Sequence, residues 1–253
     1  MPKRRPMDNV QVGWKQPQED EWALCLLGLP TVYRTIAFPR RLPQCPESLS
    51  LDGLTHDVSA TWNETLATFL KCVLIGHEDS RLVLKSPTHT ARIGHLFRMF
   101  PKARFVHVTR DPRSVFPSTM RLWTRLATDH GLQLPDETQL QQYVLDTFTQ
   151  MYEAFERQRA SLPPQRVCDI RYEELVADPV SQMARVYQEL ELDQFDQVRQ
   201  PLEQRAAARA GYQTNEYEVP DELCQLIADR WHEFCDRYGY HVAPARRMAC
   251  LLY

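Results

Sequence analysis

An α/β fold built on a parallel sheet is the architecture this sequence predicts, and three observations carry it. Two short apolar, β-branched runs, Leu82-Val83-Leu84-Lys85 and Phe105-Val106-His107-Val108-Thr109-Arg110, alternate with segments of helical spacing. Each run ends in a cation and then a proline-marked helix start, Ser86-Pro87 in the first and Asp111-Pro112 in the second, the order expected of βα units. A third run, Arg166-Val167-Cys168-Asp169-Ile170-Arg171-Tyr172, follows a long amphipathic helix. At 253 residues the chain can bury one sizeable core, and a single domain over 1–253 is expected.

Taken in order, Met1 to Pro17 is polar and proline-marked and predicts extended chain. Gln18-Glu19-Asp20-Glu21 then opens a helix through Leu27, three acids in a first turn suiting the helix dipole. Gly28 to Ser59, with prolines at 30, 39, 43 and 46, predicts a long irregular connection, of the kind that forms lids and binding loops. Trp62 to Ile75 is helical by spacing, with Trp62, Leu66, Phe69, Leu70, Val73 and Leu74 on one face. Thr88 to Met99 forms the helix after Lys85, with His89 and His95 as surface or packing residues. The helix after Arg110 runs through Leu126, and Pro117 should bend or interrupt it. Residues 136–160 form another amphipathic helix; helices follow the third strand through Glu191; Asp193 to Arg209 predicts a solvated helix; and a loop over 211–217 precedes a last helix, Asp221 to Tyr238.

Composition excludes several classes. Charged residues make up 25% of the chain and the formal net charge is −3, so no global basic field recruits nucleic acid or anionic membrane, and any anion site must be local. Seven cysteines, at 25, 45, 72, 168, 224, 235 and 250, show no C-x-x-C pair or metal-ligand spacing, and free thiols in a reducing compartment are expected. No run approaches the ~20 apolar residues that cross a bilayer. Met1-Pro2-Lys3-Arg4-Arg5-Pro6 lacks the apolar segment of a secretory signal, so a cytoplasmic location is expected.

Ligands of parallel sheets collect beyond the carboxyl ends of the strands. Lys85 and Arg110 would stand there, aimed at helix N-termini whose free N–H groups favour anions. Ser118 follows Arg110 by eight residues, so one phosphate could take a bidentate fork from Arg110 and a hydroxyl bond from Ser118. The plainer alternative is that Ser86 and Asp111 are ordinary caps and Pro87 and Pro112 ordinary first helical residues.

These residues resemble a known family. Leu84-Lys85-Ser86-Pro87, then Phe100-Pro101-Lys102-Ala103-Arg104-Phe105-Val106-His107-Val108-Thr109-Arg110-Asp111-Pro112-Arg113 and Ser118 are similar to the core of the sulfotransferase superfamily, nearest its bacterial and tyrosylprotein-type branch. The resemblance implies a P-loop NTPase-like three-layer sandwich and 3′-phosphoadenosine 5′-phosphosulfate (PAPS) as cosubstrate, without a metal. It implies that Arg110 and Ser118 bind the 3′-phosphate and that Lys85 lies near the transferring sulfuryl group. Pro17-Gln18-Glu19-Asp20-Glu21 is similar to a P-x-E-D segment beside the acceptor, where Glu19 or Asp20 would take the hydroxyl proton. Arg171-Tyr172-Glu173 to Asp178-Pro179 resembles a segment whose tyrosine approaches the nucleotide, making Tyr172 a candidate contact or else a half-buried aromatic at a strand end. The implied acceptor is a hydroxyl, or an amine, on a small molecule, carbohydrate or peptide.

The family's opening strand and phosphate loop, of the form P-R-S-G-T-T, has no counterpart in this sequence, nor has G-x-x-x-x-G-K-S/T. The expectation is therefore a fold lacking its first strand and phosphate loop, either as an N-terminally truncated fragment or as a protein that has lost half of its cofactor grip. Two functions follow: PAPS-dependent sulfuryl transfer, which truncation could abolish, or a non-catalytic nucleotide-binding or interaction module on the same scaffold. A phosphate-transferring kinase fits worse, since neither a Walker lysine nor a magnesium carboxylate accompanies the strand ends.

Overall fold

The computed structural model describes residues 13, 16, 18–77, 80–209, 215–217, 219–240 and 248–250. Pro17, most of the polar N-terminal stretch and residues 211–214 of the expected loop lie outside them. Two compact units divide the chain: residues 1–99 with 120–158, and residues 100–119 with 159–253.

In the first unit, α1 (Asp20–Leu26) begins after Glu19, whose extended backbone makes it the N-cap. The connection that follows is irregular as expected, apart from short 3₁₀ turns at Val32–Ile36 and Pro46–Ser48. Helix α2 (His56–Leu74) starts before the predicted Trp62, because Thr55 caps it by accepting from the Val58 N–H. Its buried stripe is Trp62, Leu66 and Leu70, while Val73 at its end stays 44% exposed. A 3₁₀ turn at Pro87–Arg92 runs into α3 (Ile93–Met99), and α5 (Glu137–Arg159) occupies the predicted 136–160. Val32, Leu49, Ala91 and Ala154 form a buried cluster that joins the irregular connection, the Pro87–Arg92 turn and α5, with Tyr33 and Met151 against it.

The run Leu82 to Lys85 is not a strand, which corrects the first of the expected βα turns. A strand exists only through a hydrogen-bonded neighbour, and among the described residues this run has none. Val83 is accordingly 87% exposed. Lys85 is held instead by a stretch that passes through extended Ser86 into the Pro87–Arg92 turn.

The second unit holds the parallel sheet. Strand β1 (Phe105–Thr109) pairs in parallel with β2 (Val167–Arg171), from Phe105 opposite Val167 to Thr109 opposite Arg171. Its pattern inverts the usual one: His107 and Thr109 are buried, whereas Val106 and Val108 are 44% and 43% exposed. The inward polar groups have partners. His107 Nδ1 lies 2.7 Å from Asp169 Oδ1 across the ladder, and Arg159 donates to Asp169 at 2.8 and 3.1 Å. Beneath β2, Cys168 and Ile170 pack with Val186 and Leu190 of α7 (Pro179–Glu189) and its end.

Helix α4 (Pro112–His130) is continuous across Pro117, so of the bend or interruption expected there the interruption does not occur. Helices α6 (Tyr172–Ala177) and α8 (Phe195–Arg209) fall where the sequence places them. The predicted last helix is two, α9 (Asp221–Arg230) and α10 (His232–Tyr238), broken at Trp231, whose backbone leaves the helical region while its indole, 2% exposed, meets the Phe116 ring edge-on at 5.8 Å. Gly239, at φ 69°, closes α10 with the left-handed cap that glycine adopts without strain. Ahead of α9, where the sequence predicted only loop, β3 (Asn215–Tyr217) pairs antiparallel with β4 (Met248–Cys250), which follows α10. Among the described residues no helix is long and apolar enough to cross a membrane.

The Asp169 network gives a pH signature. Burial acts to raise the Asp169 pKa, but the hydrogen bonds and charges of His107 and Arg159 outweigh it and bring it from 3.8 to about 2. A pKa depressed in the folded state contributes stability that is complete above about 3.8 and is lost as pH falls toward about 2. Urea melts of the wild type and Asp169→Asn at a series of pH values should therefore converge over that window. A gap that stays constant through it would remove the ion pairs as the cause.

Candidate active site

In the first unit, three consecutive carboxylates meet two cations and a histidine. Glu19, Asp20 and Glu21 sit at the start of α1, and their partners Lys85, His89 and Arg92 recur at intervals of four and three along the opposing stretch. Lys85 Nζ lies 2.5 Å from Glu19 Oε1, with the lysine side chain 65% exposed and the glutamate 22%. His89 Nε2 lies 2.7 Å from Asp20 Oδ2. Arg92 takes Glu21 as a fork at 2.5 and 3.1 Å, with both side chains at 1% exposure or less.

The three pairs differ in kind. Glu21 also accepts from Thr88 at 2.9 Å and from the Thr31 hydroxyl, and Arg92 donates to the Ser48 and Leu49 carbonyls beneath the Trp62 ring. Burial pushes the Glu21 pKa up, but the charge and hydrogen bonds of Arg92 outweigh it and leave it lowered; Asp20 is likewise lowered, burial being overcome by the His89 hydrogen bond. Both are ionised structural anchors. Glu19 is the carboxylate nearest solvent, and its second oxygen accepts from the Tyr33 hydroxyl at 2.5 Å. Burial, then Glu19, pushes the Tyr33 pKa well above 10.0, so Tyr33 keeps its proton as the donor.

In the second unit, the end of β1 and the start of α4 form the other group. The Arg110 guanidinium lies over the Tyr172 ring at 4.5 Å, a stacking that holds the cation in one orientation without consuming its N–H donors. Tyr172 is 6% exposed and so is Ser118, which stands on the second turn of α4. Asp111 caps α4 through the Arg113 N–H at 2.8 Å and binds the Arg113 guanidinium at 2.7 and 3.1 Å. Glu173 accepts from the Asp111 N–H at 2.9 Å and from the Tyr240 hydroxyl at 3.0 Å. Tyr240, pushed up to about 12 mainly by burial, also lies 3.2 Å from the Thr109 hydroxyl, so it links the end of β1 to Glu173, two residues past β2.

The sequence profile described as Sulfotransferase family matches residues 30–197, well over half of the 253. The chain belongs to the sulfotransferase family. It is 40% identical over 238 residues to omega-hydroxy-beta-dihydromenaquinone-9 sulfotransferase Stf3 of Mycobacterium bovis, and equally to that of Mycobacterium tuberculosis, covering 94% of this chain. It spans 61% of the length of those curated relatives. Protein-tyrosine sulfotransferase A of Caenorhabditis elegans is 26% identical over 148 residues, 58% of this chain and 36% of that protein. Among solved structures, sulfotransferase STF9 from Mycobacterium avium superposes with a TM-score of 0.52 at 23% identity, over 64% of this chain and 43% of its own, a likeness of fold.

For this sulfotransferase family member, the structure joins Lys85 to Glu19 and Arg110 to Tyr172, and places Ser118 in the helix that Arg110 precedes. Asp20 bonds His89 rather than Lys85; the sequence suggested His89 only as a surface or packing residue. Ser86, expected as a cap, makes no side-chain cap bond and meets the Thr88 hydroxyl at 3.2 Å instead. Tyr33 and Arg92 were not singled out by sequence. The four-then-three spacing of Lys85, His89 and Arg92 opposite Glu19-Asp20-Glu21 is the signal that could have found Arg92. No spacing marks Tyr33, 14 residues from the carboxylate it binds. Among the described residues no group of three or more His, Cys, Asp or Glu is arranged to hold a metal ion.

Proposed function

We propose that this chain transfers a sulfuryl group from PAPS to a hydroxyl, with Glu19 as proton acceptor and Lys85 as the cation on the group in transit. The observation that carries the proposal is the Glu19–Lys85 pair at 2.5 Å in a chain of this family. PAPS supplies the sulfuryl group; the acceptor oxygen bonds to sulfur while the bond from sulfur to the 5′-phosphate breaks, leaving its electron pair on that phosphate. Little covalent work falls to the protein, so its contribution is positioning and charge.

Each residue has a role in that scheme. Lys85, mostly exposed, exchanges Glu19 for the sulfuryl oxygens, which frees Glu19 Oε1 to take the hydroxyl proton. Tyr33 holds the other oxygen and fixes the carboxylate's direction. Asp20, buried and held by His89, is a positioning residue rather than the base. Arg110, stacked on Tyr172, and Ser118 hold the 3′-phosphate. The relatives support a hydroxyl acceptor by their names, one acting on an omega-hydroxy quinone lipid and the other on protein tyrosine.

Calorimetry with adenosine 3′,5′-bisphosphate, alongside a transfer assay with PAPS, tests the reading. Arg110→Ala is expected to weaken nucleotide binding by about 1.5 to 3 kcal/mol, the scale of a hydrogen bond to a charged group. Unchanged affinity in a variant folded by circular dichroism would take Arg110 out of the site. Binding without any transfer would favour the non-catalytic module.

A further inference from the structure

Four leucines of the first unit stand in the open: Leu26 and Leu27 at the end of α1, 87% and 60% exposed, and Leu132 and Leu134 between α4 and α5, 75% and 63%. A single exposed leucine means little, since much of any protein surface is apolar. These four, however, are joined through one arginine-bearing loop. Arg34 donates to the Gly28 carbonyl at 3.1 Å, which places its cation on the turn that follows Leu26 and Leu27. From there the loop runs to Ala37, whose carbonyl accepts from the Leu132 N–H at 2.9 Å, and to Arg40, which donates to the Leu134 carbonyl at 3.0 Å. Arg41 lies over the ring of Phe38 at 6.0 Å. Thr35 and Ile36 of the same loop are sealed, so it closes one side on the core and turns its arginines to solvent.

The charge on this strip is not answered within the protein. From Leu26 to Pro46 the sequence holds three arginines and no acid. Arg34 and Arg40 donate to neutral carbonyls and Arg41 meets a ring; among the described residues none of the three is ion-paired with a carboxylate. The acids that flank Leu132 and Leu134 in sequence are taken, Asp129 by Arg125 at 2.9 Å and Asp136 by the Gln139 N–H at the start of α5. Exposed leucines set among unanswered cations suit a membrane interface, where apolar side chains enter the acyl boundary and cations meet anionic headgroups. We propose that this strip docks the protein on the surface of a bilayer that carries anionic phospholipid. A second copy of the chain fits worse, because a symmetric contact of the strip with itself would set arginine against arginine. The formal net charge is −3, so the attraction belongs to the strip and not to the chain as a whole. The inference makes no use of the sulfuryl-transfer scheme, and its test needs no PAPS.

Flotation of the full chain with unilamellar vesicles tests this, one set made of phosphatidylcholine alone and one of an equal mixture with phosphatidylglycerol. The mixed vesicles should bind the protein more tightly than the neutral ones, and less so as salt is raised. Arg40→Gln with Arg41→Gln should lower the partition coefficient about thirtyfold, the scale for two cations at an anionic surface. Leu26→Ser with Leu27→Ser should lower it about tenfold or more, with the circular dichroism unchanged. Arg40 also holds the Leu134 carbonyl; if the arginine pair does not fold, Arg41→Glu alone leaves that bond in place and should weaken binding in the same direction. Equal binding to both vesicle sets, no binding to either, or a partition coefficient indifferent to the leucine or to the arginine substitutions overturns the inference. If vesicles are not bound and light scattering shows a dimer that the leucine substitutions dissociate, the strip is a subunit contact and the inference falls.

Discussion

Arg92→Ala is expected to cost this protein about 3 to 5 kcal/mol, the scale for breaking a buried ion pair by removing one partner. Arg92 is 0% exposed and Glu21 1%. The loss strands the Glu21 carboxylate without its fork, and it also strips the Ser48 and Leu49 carbonyls of their donor. Against a total stability on the order of 5 to 15 kcal/mol, that is enough to unfold much of the population near body temperature. The pair need not be a net stabiliser for this to hold, because the penalty comes from the charge left behind. Glu21→Gln with Arg92→Met should consequently cost less than Arg92→Ala alone. Urea midpoints of the three proteins measure this, and a loss under about 1 kcal/mol in Arg92→Ala would show that water reaches Glu21.

Lys85→Ala should behave in the opposite way, with a large effect on rate and a small one on stability. Its side chain is 65% exposed, and surface pairs of this sort contribute at most about 1 kcal/mol. In transfer, however, a cation beside the group in transit meets more charge in the transition state than in the ground state, whereas Arg110 meets a phosphate that does not change. A fall in kcat of roughly a hundredfold or more, with nucleotide affinity changed much less, is the scale for losing one preorganised donor. Equal losses in rate and affinity would make Lys85 a plain electrostatic contact. No loss in rate would reduce the Glu19–Lys85 pair to a surface salt bridge.

Local signals in the sequence located most of the framework. Periodicity placed α2 and α5, and the apolar runs placed both β1 and β2, because these elements bury one face and their composition shows it. The same signal failed at Leu82 to Leu84, where β-branched composition is present but the pairing that defines a strand is not, and pairing is a property of the neighbour. The break at Trp231 was hidden likewise, since nothing local says that its indole must reach Phe116. At the candidate site, Lys85, Arg110 and Tyr172 could be picked out as candidates because each stands in a short motif with a turn beside it. Tyr33 and His89 were not, since the bonds that give them meaning span 14 and 69 residues.

The three carboxylates at the start of α1 also set how the segment can change over time. Asp20 and Glu21, successive in α1, point about 100° apart, and Glu19 precedes them on extended backbone, so the three adjacent side chains reach three different partners. A single residue inserted or deleted within them would swing the rest onto the wrong neighbours, for instance offering the Asp20 side chain, meant for His89, to the sealed arginine. Charge alone would be conserved by such a slip, and every pairing lost. The segment is therefore one that can drift by substitution at its edges but should tolerate no change of length.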